Sequence, residues 1–265
     1  EQLMGEGVIP FRGDAGPIGH FCANYRKVVG YGFGAIKRDC QTWMDSVQGN
    51  LMGHDAERYT FYRALIRICD AAILMSKRYA EECRRQAEAK AADDPRKTEL
   101  LQMAEGLDHI MEHPARTFWE AVQAILLYQL MLSLDGLMHG LTVGRFDQYV
   151  YPYYKRDIEE GRLTREQAQE ILDCFFLKIA EGVNLKPTRS AQSSGGYTPG
   201  QHMSPGGVKK DGSDATNDIS FMMLESMARL KLHDPPLSLR VHKNSPRELL
   251  EAAVACTREV GGIPT

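Results

Sequence analysis

No apolar stretch in this 265-residue sequence is long enough to cross a bilayer. The longest, Ala121–Leu134, has the length of a core helix. Charge of one sign is also lacking: the formal net charge is −3, which gives no electrostatic reason for binding nucleic acid or an acidic membrane surface. The six cysteines, Cys22, Cys40, Cys69, Cys83, Cys174 and Cys256, form no C-x-x-C pair. That argues against a zinc ribbon or a thioredoxin-like site, and most of them read as small buried hydrophobes in a reducing cytoplasm. The chain starts at Glu1 with neither a Met nor a basic, apolar leader. This leaves secretion unsupported and fits a chain that begins inside a longer protein. Nucleotide-binding fingerprints are missing too. Gly30, Gly32 and Gly34 have the wrong spacing, no Gly-Lys-Ser/Thr occurs, and no serine-hydrolase elbow is present. His109 and His113 are four apart but lack the glutamate of H-E-x-x-H, so no metal site is expected in the chain.

What is present is helical periodicity interrupted by glycine-rich segments. A helix is expected from Asn24 to Arg38, weakened by its glycines. A longer one runs from His54 to about Ala92, with Tyr62, Leu65, Ile66, Cys69, Ile73 and Tyr79 as its buried face. Asp93-Asp94-Pro95 stops it and caps the next helix, Lys97–Met111, which His113-Pro114 then breaks. Further helices are expected over Thr117–Leu134, after Thr164 with Gln167 completing a capping box, from Asp214 to Leu230, and after Ser245-Pro246. Leu237–His242 alternates cleanly and is the best strand candidate, flanked by His233 and His242, each readable as a structural histidine. Ser190–Gly207 reads as irregular. There is no repeat and no linker, so the chain is taken as one domain.

Three segments combine glycine with polar or ring-bearing residues: Gly13–Tyr25, Asp135–Tyr154 and Gly195–Gly212. Loops of this type carry most chemistry. In the middle one Gly136, Gly140 and Gly144 recur every four residues, as if the backbone bends closely around something. Arg145 and Asp147 sit among apolar neighbours and would need partners if buried. From the residues alone the stretch reads either as a packed turn or as a functional loop.

Thr142-Val143-Gly144-Arg145-Phe146-Asp147-Gln148-Tyr149, followed by Tyr151-Pro152-Tyr153-Tyr154, resembles the G-R-F/L-D-Q-Y-x-x-P signature of glycyl radical enzymes, the pyruvate formate-lyase-like lyases and dehydratases. Gly206-Gly207-Val208, leading through Gly212 to Asp214-Ala215-Thr216-Asn217, is similar to their V-G-G-x-x-x-x-G-x-D-A-T-N run. Pro114-Ala115-Arg116-Thr117-Phe118-Trp119-Glu120-Ala121 matches a helix start of the same family. The resemblance covers nearly the whole chain.

It implies an α/β fold, with this helix-rich segment forming part of a ten-stranded barrel of two parallel half-barrels wrapped by helices. It also implies a homodimeric, cytoplasmic enzyme of anaerobic metabolism. A glycyl radical, installed by a radical S-adenosylmethionine iron–sulfur activase, would generate a thiyl radical on a cysteine in a G-C-V-E-like context. The thiyl would then abstract hydrogen from a small-molecule substrate. None of the six cysteines has that context, and no R-V-A/S-G-Y/F-like loop occurs. Residues 1–265 are therefore expected to be a middle portion of a domain that continues beyond Thr265, with the radical on a downstream glycine and no catalytic residue in this chain. For the substrate pocket the resemblance points to His139 and Gly140, where dehydratases carry His-Ser, to His20, and to Gln201 with His202. Gly140 lacks the hydroxyl and leaves room, and Gln201-His202 favours a polar or anionic substrate. Arg145 and Asp147 are expected to fix the loop. The expected reaction is elimination by C–O, C–N or C–S cleavage. The alternatives are an arylacetate-type decarboxylase and a catalytically silent helical scaffold.

Overall fold

The computed structural model describes residues 20–49, 51–135, 140–182 and 200–265. Most of them are helical: α1 (Tyr25–Ser46), α2 (His54–Glu88), α3 (Pro95–His109), α4 (Phe118–Asp135), α5 (Phe146–Glu159), α6 (Arg165–Ala180), α7 (Asp218–Leu230) and α8 (Arg247–Val260). A parallel pair, β1 (Phe21–Cys22) with β2 (Leu141–Thr142), aligns Phe21 with Leu141 and Cys22 with Thr142.

The pair continues as a ladder. Gly144 bridges Met203, Met203 bridges Leu237, and Gly206 bridges Arg240, all parallel. Thr265 then donates its N–H to the Leu237 carbonyl and accepts from the Leu239 N–H. The extended segments thus lie side by side in the order in which they occur in the chain, with helices as the crossovers. The expected strand at Leu237–His242 exists only as these single bridges.

Local signals explain most boundaries. Asn24 accepts from Lys27 N and caps α1, and Asp94 accepts from Arg96 N and caps α3 with Pro95 in its first turn. Thr164 and Gln167 form the expected reciprocal box, and Asn217 with Ser220 forms another. Several boundaries differ from expectation, among them the end of α2 at Glu88 rather than near Ala92 and the start of α7 at Asp218 rather than Asp214. Helix α1 runs on to Ser46 because its glycines serve a contact: the chain kinks at Gly32, and Phe33 N and Gly34 N donate to the carbonyls of Met111 and Glu112. Helix α3 ends at His109, since Ile110 is extended and Met111 has φ 68°. Ser245 does not cap α8; its hydroxyl accepts from His242 N, and Pro246 takes the cap position. From Phe146 onward the stretch treated as a loop is helix α5, with Pro152 inside it.

The expected face of α2 is met in part: Cys69 is buried and Leu65 and Ile73 pack half-buried against the core, but the fully buried stripe adds Ala72, Ser76, Ala80, Cys83 and Ala87, and Tyr79 is 47% exposed. Four of the cysteines are buried as expected, but Cys174 is exposed beside buried Phe175 and Phe176. The core gathers Phe118, Ile125, Phe146, Leu172, Phe176, Ile219 and Met222 where α4, α5, α6 and α7 meet. No helix among the described residues is long and apolar enough to cross a membrane.

Buried Asp157 at the end of α5 accepts from Phe118 N, 2.7 Å away, and so caps the start of α4 from 39 residues along the chain. The same carboxylate accepts from Arg162 at 2.8 and 3.1 Å. Asp157→Ala strips a buried helix terminus of its acceptor. A stability loss of about 3 kcal/mol in urea unfolding is expected, from charge-assisted bonds of about 1.5–3 kcal/mol each. A loss below about 1 kcal/mol would contradict this role.

Candidate active site

Side chains alternate across an extended segment, and in this ladder the alternation separates two chemistries. Leu141, Val143, Met203 and Leu237 point to the helices and are at most 3% exposed. Thr142, His202, Ser204 and Ser238 alternate with them and are half-buried. His202 Nδ1 lies 3.2 Å from Ser238 Oγ, and Ser238 Oγ lies 3.2 Å from Thr265 Oγ1. A hydrogen-bonded polar row therefore crosses three neighbouring segments on the face away from the helices.

The residues singled out in the sequence distribute as follows. His20 and Gly140 come together at the start of the β1–β2 pair. A Cβ on Gly140, which has φ 67°, would lie 3.0 Å from His20 N and 3.3 Å from the His20 ring. A Cβ on Gly144 would sit 2.6 Å from Cys22 Sγ. Gly140 and Gly144 thus bend closely past the chain at 20–22. His202 reaches the polar row. His139 and Gly136 lie outside the described residues.

Gln201 does not join His20 in one cavity: it is fully buried on the helix side. Its side-chain oxygen accepts from Gln129 Nε2 at 2.6 Å, and its amide nitrogen donates to Ile179 O at 3.0 Å and Asp234 Oδ2 at 3.4 Å. Its backbone N–H donates to Asp234 Oδ1. Gln129 in turn accepts from the Tyr25 hydroxyl and donates to Leu141 O. The parity of the segment, with His202 facing outward, places its predecessor inward. Sequence reading missed Gln129 and Asp234. The available signal was one amide inside the apolar run Ala121–Leu134, which must find partners if buried.

Arg145 and Asp147 bind the two sequence motifs to each other. Arg145 donates to Gly206 O at 2.7 Å and Val208 O at 2.9 Å. Fully buried Asp147 accepts from Gly206 N at 2.8 Å and Ser220 Oγ at 2.6 Å. Gln148 donates to Ala215 O, and Asn217 donates to Asp147 O. Burial pushes the Asp147 carboxyl above its ordinary value, opposed by its bonds to Ser220 and Gly206 and by Arg145. His242 Nε2 meets Asp214 Oδ1 at 2.9 Å; His109 pairs with Pro114 O, and its ring stacks on His113. Among the described residues no group of three or more His, Cys, Asp or Glu is placed to hold a metal ion.

The described residues are helix-rich with a small parallel ladder, one face of it packed by helices and the other carrying polar side chains. The chain belongs to the pyruvate formate lyase-like family, whose model matches residues 1–265. It is 36% identical over 245 residues to isethionate sulfite-lyase of Desulfovibrio desulfuricans, covering 91% of this chain and 29% of that protein. It is 32% identical to trans-4-hydroxy-L-proline dehydratase of Clostridioides difficile, over 74% of this chain and 25% of that protein. Among solved structures, the B12-independent glycerol dehydratase from Clostridium butyricum in its glycerol-bound form superposes with a TM-score of 0.86 and 31% identity, over 92% of this chain and 30% of that one. The chain spans less than a third of the length of these relatives.

Arg145→Ala leaves two carbonyls of the 206–208 turn without their charged donor. A loss of about 3 kcal/mol is expected, read as a lower urea midpoint; an unchanged midpoint would remove the structural role. For Asp147 the folded carboxyl holds its proton more tightly than the unfolded one. Its contribution is fully present below the unfolded value near 3.8 and is lost as pH rises through the raised folded value. Asp147→Asn is therefore expected to flatten the stability–pH curve above pH 4, measured by urea unfolding across pH 4–7. Parallel curves for the two proteins would contradict it.

Proposed function

We propose that this chain is the part of a glycyl radical lyase that builds one wall of its substrate cavity, for a small polar substrate losing a group by C–O, C–N or C–S cleavage. The observation that carries the reading is the two-sided ladder. Parallel sheets ordinarily bury both faces under apolar side chains. A face carrying Thr142, His202, Ser204, Ser238 and Thr265 suits a hydrated ligand cavity with a few convergent polar groups. Five extended segments in sequential order also support the half-barrel expected for this family. His20, Gly140 and His202 are the described residues placed to meet substrate, and Arg145 and Asp147 hold the wall in register. His139 and Gln201 differ in standing: the first lies outside the described residues, and the second acts from behind the wall.

The names of the relatives supply the reaction class: a sulfite-lyase and dehydratases on small hydroxylated molecules. The cysteines do not fit the thiyl role. Cys40, Cys69, Cys83 and Cys256 are buried, burial pushes their thiols up, and none has the motif context. No step through a radical is assigned to these residues. On this reading the thiyl cysteine and the radical glycine belong to other sequence of the longer protein, a reading that the coverage of under a third of the relatives supports. A radical S-adenosylmethionine activase, a homodimer and a cytoplasmic location belong to the same reading on the strength of family membership.

Activation of the full-length protein by an activase under anaerobic conditions is expected to give a doublet glycyl signal in electron paramagnetic resonance. It should also give elimination product from isethionate or a vicinal diol. The 265 residues alone are expected to give neither. A glycyl signal from residues 1–265 would contradict the assignment of the radical elsewhere, and a full-length protein without signal or turnover would favour a silent scaffold.

A further inference from the structure

We propose that the outer face of α2 seats a second helix, acidic beside an apolar seam, and that this helix belongs to the part of the same longer polypeptide outside residues 1–265; it does not rest on the reaction proposed above. Phe61, Leu65, Ile68, Ala72, Met75 and Tyr79 follow one another at steps of four, three, four, three and four. On a helix they form one stripe about 27 Å long, set beside the stripe that packs on α1 and α3. Alternating steps of this kind keep a seam facing a partner helix over several turns, which an extended segment cannot follow. Leu65, Ala72 and Met75 are shielded by the core, whereas Phe61, Ile68 and Tyr79 are 63%, 48% and 47% exposed. The described residues therefore cover only one margin of the seam. Ala64 and Ala71 run along the other margin, and their short side chains let a second helix axis come close.

Charge selects the occupant. Between Thr60 and Tyr79 the only carboxylate on α2 is Asp70, which is tied to Lys37 of α1. Lys77 is likewise engaged, by Glu112 at 2.7 Å. Arg63, Arg67 and Arg78 lie beyond the open margin and make no ion pair with any described residue. A second copy of α2 on this face would set cation against cation in either direction, which like charge opposes. A helix with Asp or Glu flanking its apolar seam meets three unpaired guanidinium groups instead. The source follows from size. The chain spans less than a third of the length of its relatives, so in a protein of that length most of the polypeptide packs from outside these residues. A helix of the same polypeptide also docks at a high effective concentration, without the entropy cost of capturing a separate molecule.

The test uses the full-length protein carrying Ala71→Cys, a small change at the open margin, and follows maleimide labelling at that position by peptide mass spectrometry. Labelling is expected to be at least about a hundredfold slower than in urea-unfolded protein, and to keep its rate over about a hundredfold dilution. Adding Arg67→Glu and Arg78→Glu is expected to speed it about tenfold, whereas Arg67→Lys with Arg78→Lys leaves it within about threefold. In the lysine variant, carbodiimide coupling of the two new amines is expected to reach two Asp or Glu side chains outside residues 1–265. In a helix these would lie about eleven residues apart, and in an extended segment about five. Labelling as fast as in urea would overturn the covered face, and protection lost on dilution would assign it to a second copy and overturn the proposal. Protection indifferent to charge reversal would remove the acidic occupant, and coupling to carboxylates about five apart would remove the helix.

Discussion

The peptide of Gly206 is held from both ends: its N–H by the buried carboxylate of Asp147, its carbonyl by the guanidinium of Arg145. Much of the rest of the chain depends on that grip. The second and third segments of the ladder meet at Gly144 and Met203, and Arg145 and Asp147 follow directly on the second. Clamping the Gly206 peptide stops the third segment from sliding along it. Leaving the buried Asp147 side chain and the half-buried Arg145 without these partners is costly, so a competing register carries a penalty. The clamp thus contributes to uniqueness of register.

Register decides what each face of the ladder presents. A slip of one residue turns every side chain to the opposite side. Here it would send the Gln201 amide outward and drive the His202 ring among the helices, breaking the row to Ser238. The buried chain from Tyr25 through Gln129 and Gln201 to Asp234 opposes this from the helix side. Its donors all point one way, toward the carboxylate, so no member can reverse without leaving another unpaired.

Elements governed by local chemistry were legible in the sequence. The Thr164–Gln167 box, the Asp94-Pro95 start of α3 and the long helix from His54 are all present. Helix α5 was not, because the glycines and polar, ring-bearing residues of Asp135–Tyr154 led the whole stretch to be read as a loop. The contrary signal, Phe146, Val150 and Tyr154 at steps of four, was there and is its buried face. The family was legible from two motifs, but not the fact that they bond to one another, since spacing along the chain says nothing of a contact between Arg145 and Val208. Gln201 was misplaced for a related reason. A polar residue in a glycine-rich segment can be satisfied inward or outward, and only the ladder's parity, set by partners far away in sequence, chooses.

Helix α2 offers a last consequence. Its buried stripe of cysteine, alanine and serine packs against α1 and α3 with side chains of one or two heavy atoms beyond Cα. Such a seam has almost no rotamers to choose among, so its fit is a property of backbone spacing alone. Any side chain longer by a methylene must push an axis aside. The thiols of Cys69 and Cys83 are built into that seam, out of reach of bulky alkylating reagents while the helices stay together. Their labelling therefore works as a clock for the parting of α2 from its neighbours, one the protein carries without any engineered probe.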